Sequence, residues 1–223
     1  MKKSIALATA AALFAAPAMA ETVKLGVLLG FTGPIESLTP DMAAGAEMAM
    51  AEASKSGKFM GGSTIESVRG DSTCVDAAAA TATAERLITS DKVVAIMGAD
   101  CSGVTTAVLQ NVATAKGVVM ISPSATSPAL STIKDNGLFF RTSPSDARQG
   151  QVLAEILKEK GVKSAAISYT NNDYGKGLAD SIQSNFEAVG GKVTISASHE
   201  DGKGDYSAEA AALGQAGGDV LIV

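Results

Sequence analysis

Hydroxyl groups are concentrated in two loops of the sequence, and each loop follows a short apolar run that is typical of a β-strand. Ser102 stands in the first loop, directly after Gly98–Cys101. The second loop contains Ser124, Ala125 and Thr126. A serine or threonine hydroxyl can donate a hydrogen bond to a carboxylate, and it can accept one from an ammonium group. These residues therefore indicate non-covalent binding of a small charged solute.

Both loops lie at the predicted carboxyl ends of strands, where open α/β sheets bind their ligands. A helix is predicted to begin near Gly103, and the free N–H groups at its start would attract a carboxylate. Pro123 and Pro128 restrict the second loop, so we expect the backbone groups of Ser124 and Ala125 to be preorganised. Any one of these hydroxyls alone is better explained as a turn or cap residue. The binding hypothesis depends on finding two such loops after successive strands.

The sequence lacks the common catalytic motifs. It contains no G-x-S-x-G, no H-E-x-x-H, no Walker A loop and no G-x-G-x-x-G. His199 is the only histidine, which excludes most catalytic triads and zinc mechanisms, and it lies in a polar stretch. We therefore expect no enzyme, no cofactor and no metal site. An enzyme based on a Ser–Lys pair or on carboxylates alone stays open as an alternative.

The elements that position these loops are predicted from an alternation of apolar runs and Ala-rich helical stretches, which is the βαβ pattern of an α/β fold with parallel sheets. A Thr39 cap followed by Pro40 favours the start of the first helix. The predicted strands are Val23–Leu29, Ile65–Arg69, Val93–Met97, Val118–Ile121, Phe139–Thr142, Ala165–Tyr169, Val193–Ala197 and Val220–Val223. The predicted helices are Asp41–Lys55, Val75–Ile88, Gly103–Ala115, Asp146–Lys160, Lys176–Val189 and Ser207–Gln215.

The chain is predicted to form two lobes after a signal peptide. Residues 21–142 form an N-terminal α/β lobe, and residues 143–223 form part of a C-terminal α/β lobe. The crossover is placed at Thr142–Ser145, because the preceding stretch is interrupted by prolines. The sequence stops on the apolar residues of a strand, Val220–Val223, so we expect the second lobe to be incomplete.

The first twenty residues have the features of a secretory signal peptide, which implies export to the periplasm. Lys2 and Lys3 precede the apolar stretch Ser4–Ala16, and Ala18–Ala20 has the small-x-small pattern that predicts cleavage after Ala20. A membrane anchor or a buried helix is the alternative.

Loss of the two lysines changes the formal net charge from −5 to about −7, and such an acidic chain is not expected to bind nucleic acid. In an oxidising compartment, Cys74 and Cys101 are expected to form a disulfide, with two buried thiols as the alternative.

A series of segments carries the pattern of one protein family, and the Ser-Pro-x-Ala-Thr loop is the most specific of them. The segments are Lys24–Leu29, Thr32–Pro34, Gly45–Glu47, Gly98–Ser102, Ile121–Pro128, Phe140–Thr142, Asp173–Leu178 and Asp205–Ser207. In these segments the chain resembles the type I periplasmic solute-binding proteins of ABC importers, in the leucine/isoleucine/valine-binding branch. The resemblance covers everything after the predicted signal peptide.

This resemblance implies two α/β lobes that are joined by a hinge and close on a small solute. Ser102 looks like the family serine that binds the ligand carboxylate. The loop of Ser124, Ala125 and Thr126 looks like the one that holds the carboxylate and the ammonium group together. Tyr174 looks like the tyrosine that the second lobe brings over the ligand.

The resemblance also bears on the disulfide and on the choice of ligand. Cys74 and Cys101 fall where branched-chain members carry a disulfide, which strengthens that expectation. Leu38 departs from the pattern, because several branched-chain binders have an aromatic residue near the ligand there. The family's ammonium-binding acid of the second lobe is expected beyond Val223.

The leading functional hypothesis is the substrate-binding component of an ABC importer, which captures a small, aliphatic amino acid and delivers it to an inner-membrane permease. We expect this component to be a monomer. A receptor for amides, urea or aromatic acids in the same fold is one alternative. A sensory ligand-binding module is another, and it would need a signalling segment downstream.

Overall fold

The computed structural model describes residues 20–223, so the predicted signal peptide lies outside the described residues except for Ala20. The strands are β1 Thr22–Leu29, β2 Thr64–Asp71, β3 Ala95–Gly98, β4 Val119–Ser122, β5 Phe139–Arg141, β6 Ser164–Thr170, β7 Lys192–His199 and β8 Val220–Ile222. They form a five-stranded sheet in the order β2-β1-β3-β4-β5 and a three-stranded sheet in the order β7-β6-β8. Every pairing is parallel, which confirms the predicted α/β class.

α-Helices connect successive strands except β4 and β5, because parallel neighbours need a crossover connection. The helices are α1 Thr39–Lys55, α2 Ala77–Thr89, α3 Ser102–Val108, α4 Thr114–Lys116, α5 Asp146–Glu159, α6 Asp173–Ala188 and α7 Ser207–Ala216. A π-helical segment, Leu109–Ala113, joins α3 to α4, so the single helix predicted for this stretch is continuous but not regular. In the described part of the chain, no helix combines the length and the apolar character needed to span a bilayer.

Strand β1 lies between β2 and β3 and is covered by helices on both faces of the first sheet. Val27 and Leu29 pack against α1, where Ala43 is fully buried. Leu28 points to the opposite face and packs in the cluster that contains Leu87 of α2. Successive side chains of a strand alternate between faces, so a strand buried on both sides is a continuous apolar run. This is why β1 could be recognised from its sequence.

The second sheet is covered on one face by α5 and α6, which approach each other closely. A Cβ atom added to Gly150 of α5 would lie 2.2 Å from the Ser181 Oγ of α6. Phe186 of α6 is 1% exposed and packs with Ala165 of β6. The absence of a side chain at Gly150 therefore allows the two helices to cover β6 together.

The starts of α1 and α6 are set by polar contacts that the sequence did not predict. The predicted Thr39 cap is wrong, because the Thr39 hydroxyl donates to the Gly30 carbonyl over 3.0 Å and no side chain caps α1. Helix α6 begins three residues earlier than predicted, since the Asn172 side chain caps it by accepting from Gly175 N–H over 2.9 Å. This earlier start places Tyr174 in the first turn of α6.

Candidate functional site

The carboxyl ends of β1, β2 and β3 are tied together by one buried carboxylate. Asp100 is 1% exposed and accepts hydrogen bonds from Gly30 N–H, from the Ser72 hydroxyl at 2.9 Å and from Cys101 N–H at 2.9 Å. These three hydrogen bonds satisfy the buried carboxylate. The loop that leads to Ser102 is therefore fixed to the residues that follow β1 and β2.

The predicted disulfide is present between Cys74 and Cys101, with a Cα–Cα distance of 5.2 Å. It links the segment after β2 to the residue immediately before Ser102. Together with Asp100, this bond restrains the start of α3.

Ser102 begins α3 and is 2% exposed. Its hydroxyl oxygen accepts a hydrogen bond from Ser127 N–H at 3.1 Å. The hydroxyl proton remains able to donate. The structure thus joins the two hydroxyl-bearing loops directly, and Ser102 lies where they meet.

The second loop is folded on the hydroxyl of Ser122, the last residue of β4. That hydroxyl donates to the Ala99 carbonyl and accepts from Ala125 N–H at 2.9 Å. The Ser124 hydroxyl donates to the Asp100 carbonyl over 2.9 Å. The side chain of Ser124 and the amide of Ala125 are therefore used within the protein. The Ser124 hydroxyl oxygen can still accept a hydrogen bond. Otherwise these two residues can reach a ligand only through backbone groups that have no partner within the described part of the protein.

Peptide geometry determines where those remaining groups point. In a trans peptide the C=O and the next N–H point in opposite directions. Ala125 N–H points at Ser122, so the Ser124 carbonyl points away from it. The Ala125 carbonyl accepts from Arg141 Nη1 at 3.3 Å, so Thr126 N–H points away from Arg141. Neither the Ser124 carbonyl nor Thr126 N–H has a hydrogen-bond partner among residues 20–223.

Asp146, in the first turn of α5, is buried beside this loop although it was not predicted as a site residue. Its backbone N–H donates to the Thr126 carbonyl at 3.0 Å, and its side chain is 2% exposed. Its Oδ2 accepts no hydrogen bond from the described residues. Burial raises the pKa of Asp146, and the Thr126 hydroxyl and the Arg141 guanidinium offset only part of that rise. A buried carboxylate with one unpartnered oxygen is suited to a cationic partner.

Tyr174 is carried to the same region by the packing of α6 on the second loop. A Cβ atom added to Gly177 would lie 3.0 Å from Ser127 Oγ and 3.0 Å from Pro128 Cδ. Burial raises the pKa of the Tyr174 phenol, and the negative charge of Asp146 adds to that rise. Tyr174 is nevertheless 44% exposed, so part of this residue is accessible. Loop, carboxylate and tyrosine thus form one cluster.

Sequence reasoning missed Asp146 and Arg141 for different reasons. Asp146 follows the capping residue Ser145, where an acid is ordinarily explained by the helix dipole. Arg141 lies in the segment Phe140–Thr142, which carried the family pattern but suggested no role. The burial of Asp146 arises from contacts across the crossover, and local sequence does not reveal it.

Two predicted features lie outside this cluster. Leu38 precedes α1 and is exposed. His199 ends β7, and its Nδ1 lies 2.8 Å from the Ser168 hydroxyl. Across residues 20–223, no three His, Cys, Asp or Glu side chains are grouped to hold a metal ion.

Comparison with known proteins identifies relatives over nearly the whole described chain. A family described as periplasmic binding protein matches residues 22–223. The leucine-, isoleucine-, valine-, threonine-, and alanine-binding protein of Pseudomonas aeruginosa is 32% identical over 212 residues, which cover 94% of this chain and 56% of that protein. The Leu/Ile/Val-binding protein of Escherichia coli K12 is 29% identical over 201 residues, which cover 90% and 53%. The chain spans about half the length of these relatives.

Solved structures give the same fold with different bound solutes. A branched-chain amino acid transporter substrate binding protein from Streptococcus pneumoniae, in complex with isoleucine, has a TM-score of 0.75 and 28% identity over 90% of this chain and 56% of its own. An ABC transporter solute binding protein from R. palustris, in complex with 4-hydroxybenzoate, has a TM-score of 0.77 and 26% identity over 90% and 53%. Both ligands carry a carboxylate, and only isoleucine carries an ammonium group.

Proposed function

Because this chain belongs to the periplasmic binding protein family, we propose that it captures a small aliphatic amino acid for an ABC importer. It binds its ligand without making or breaking a covalent bond and passes it to a membrane permease. The relatives named for leucine, isoleucine and valine support an aliphatic side chain.

The observation that carries this proposal is the pair of unpartnered backbone groups in the second loop. The Ser124 carbonyl is an acceptor for an ammonium group, and Thr126 N–H is a donor for a carboxylate. They belong to residues only two positions apart, so one loop offers an acceptor and a donor for the two charged groups of an α-amino acid. The Ser102 hydroxyl supplies a second donor to the carboxylate.

We assign the ammonium group a further acceptor, the Asp146 carboxylate. Its Oδ2 is buried without a partner among the described residues, which is costly unless a cationic group completes it. Asp146 therefore favours an amino acid over a solute that has a carboxylate alone.

Ligand capture is proposed to involve closure of two lobes, residues 21–142 and residues 143–223. Loop 124–126 lies in the first lobe, and Tyr174 of the second lobe closes over the ligand. Ligand contacts made by both lobes shift the population toward the closed form, because only that form makes all of them.

A receptor for aromatic acids is the second candidate. The relative that binds 4-hydroxybenzoate supports it, and Ser102 with Thr126 would serve any carboxylate. The unpartnered carboxylate of Asp146 argues against it, because an aromatic acid brings no cation to that position.

We propose that the protein functions in the periplasm, after export and cleavage of the signal peptide following Ala20. The relatives are periplasmic binding proteins, which supports that compartment. The disulfide is consistent with an oxidising compartment. We further propose that the protein acts as a monomer.

The Thr126→Ala variant tests this function. It is expected to bind leucine more than tenfold more weakly, because the threonine hydroxyl beside the charged groups of the ligand is lost. A hydrogen bond to a charged group contributes about 1.5–3 kcal/mol. Isothermal titration calorimetry on the protein in its natural length measures the change. Thr126→Ser keeps the hydroxyl and should stay within about threefold of the wild type. Equal affinities of Thr126→Ala and wild type would remove Thr126 from the site.

A further inference from the structure

We propose that Arg141 is a positioning residue. It fixes the directions of the backbone carbonyl and N–H groups of the second loop, so that the accessible face of the loop binds a carboxylate. This inference rests on the proposed function, and it gives a role to a residue that is not expected to touch the ligand. It concerns how the Thr126 N–H donor is aimed.

Arg141 donates three hydrogen bonds, and two of them hold the loop from one side. Its Nη1 donates to the Ala125 carbonyl at 3.3 Å and to the Ser127 carbonyl at 2.9 Å. Its Nη2 donates to the Ser131 hydroxyl. A planar guanidinium with several fixed donors can hold two carbonyl groups in one orientation.

The orientation of these carbonyl groups decides the charge that a ligand meets. With the Ala125 carbonyl turned to Arg141, Thr126 N–H must point the other way. Two carbonyl dipoles are thereby withdrawn from the ligand side of the loop. Without Arg141 the same carbonyls are free to turn toward the ligand, where their negative ends would repel a carboxylate.

The backbone of Arg141 is itself fixed, so the side chain starts from a defined position. Arg141 ends β5 and pairs with Ser122 of β4. The next residue, Thr142, donates its N–H to the Ser122 carbonyl at 3.0 Å. Ser122 is also the residue on which the loop folds, so the loop is held by Ser122 from within and by Arg141 from outside.

A second role for Arg141 has to be separated from this one. The guanidinium also lies close enough to Asp146 for their charges to interact. Removal of Arg141 could weaken carboxylate binding simply because the charge of Asp146 is no longer balanced. A double variant that lacks both charges distinguishes the two roles.

The test compares leucine with leucinamide, which keeps the ammonium group and the side chain but lacks the carboxylate. Calorimetry on the protein in its natural length gives the ratio of the two affinities. The ratio is measured for the wild type, Arg141→Met, Arg141→Lys and Arg141→Met/Asp146→Asn. We expect Arg141→Met to lower the leucine-to-leucinamide ratio about tenfold. Arg141→Lys keeps a donor for one carbonyl and should lower it by only about threefold.

The controls make each outcome decisive. Arg148→Met makes the same chemical change at an exposed position of α5 and should leave the ratio unchanged. The leucine-to-leucinamide ratio of the double variant should be as low as that of Arg141→Met. A return to the wild-type ratio would show that Arg141 acts by balancing the charge of Asp146 and would overturn its positioning role. An unchanged ratio in folded Arg141→Met overturns it as well. If wild type does not prefer leucine to leucinamide, the proposed function fails first, and this inference fails with it.

Discussion

Asp146→Asn is expected to weaken leucine binding about 100-fold while the ligand-free protein becomes more stable at neutral pH. The loss of affinity follows from removing the negative charge that is proposed to face the ligand ammonium; loss of one partner of a buried charge pair costs about 2–5 kcal/mol. The gain in stability follows because Asp146 is 2% exposed and its Oδ2 has no partner among the described residues. One substitution should therefore change binding and stability in opposite directions.

The stability effect of this substitution should depend on pH. Burial raises the pKa of Asp146 above that of an unfolded aspartate. A carboxyl with a raised folded-state pKa favours folding while it is protonated, and this contribution is lost as the pH rises through the folded-state value. Asparagine does not titrate. The variant should therefore have a Tm roughly 2–4 °C higher at pH 7, and the difference should shrink as the pH falls toward about 4.

Calorimetric titration and thermal unfolding of both proteins between pH 4 and about pH 7 measure these two effects. Asp173→Asn is the matched control, because Asp173 also lies in the first turn of a helix but is exposed. It should change the unfolding free energy by less than about 1 kcal/mol and leave leucine affinity unchanged. A wild-type affinity in Asp146→Asn would remove this carboxylate from the ligand site.

Removal of the disulfide has the second large expected effect. Cys74→Ser/Cys101→Ser should lower the unfolding free energy by about 3–4 kcal/mol, because the bond closes a loop between residues 27 positions apart. For a chain of this size that corresponds to a fall in Tm of about 10 °C. Binding should weaken too, since Cys101 precedes Ser102 and the bond restrains the start of α3.

Thermal unfolding with and without dithiothreitol provides the control for this variant. Reductant should lower the Tm of the wild type to a value close to that of the double serine variant, and it should leave the Tm of that variant unchanged. If the serine variant and the oxidised wild type unfold at the same temperature, the bond does not stabilise the fold.

The sequence predicted β1 well because this parallel strand is buried on both faces. Val27, Leu28 and Leu29 all enter the core, so β1 is a continuous apolar run. Helix ends were less predictable, since they depend on which polar group a side chain finds. Thr39 has the sequence features of a cap, yet its hydroxyl bonds to Gly30 nine residues earlier.

The candidate site could be predicted in its residue types but not in its charges. Ser102 and Thr126 were found because hydroxyls follow successive strands. Asp146 and Arg141 were not found, because their roles arise from contacts with residues 14–20 positions away. The direction of the Thr126 N–H group likewise depends on Arg141, and the sequence of the loop alone does not determine it.

Calorimetric titration of the wild-type protein with leucine, 4-methylpentanoate and 4-hydroxybenzoate tests the proposed function most directly. The second compound is leucine without its ammonium group, and the third is the solute bound by a relative of similar fold. We expect leucine to bind at least about 100-fold more tightly than either acid, because only leucine supplies a cation to Asp146 and the Ser124 carbonyl. Binding of either acid as tight as that of leucine would contradict an amino-acid site.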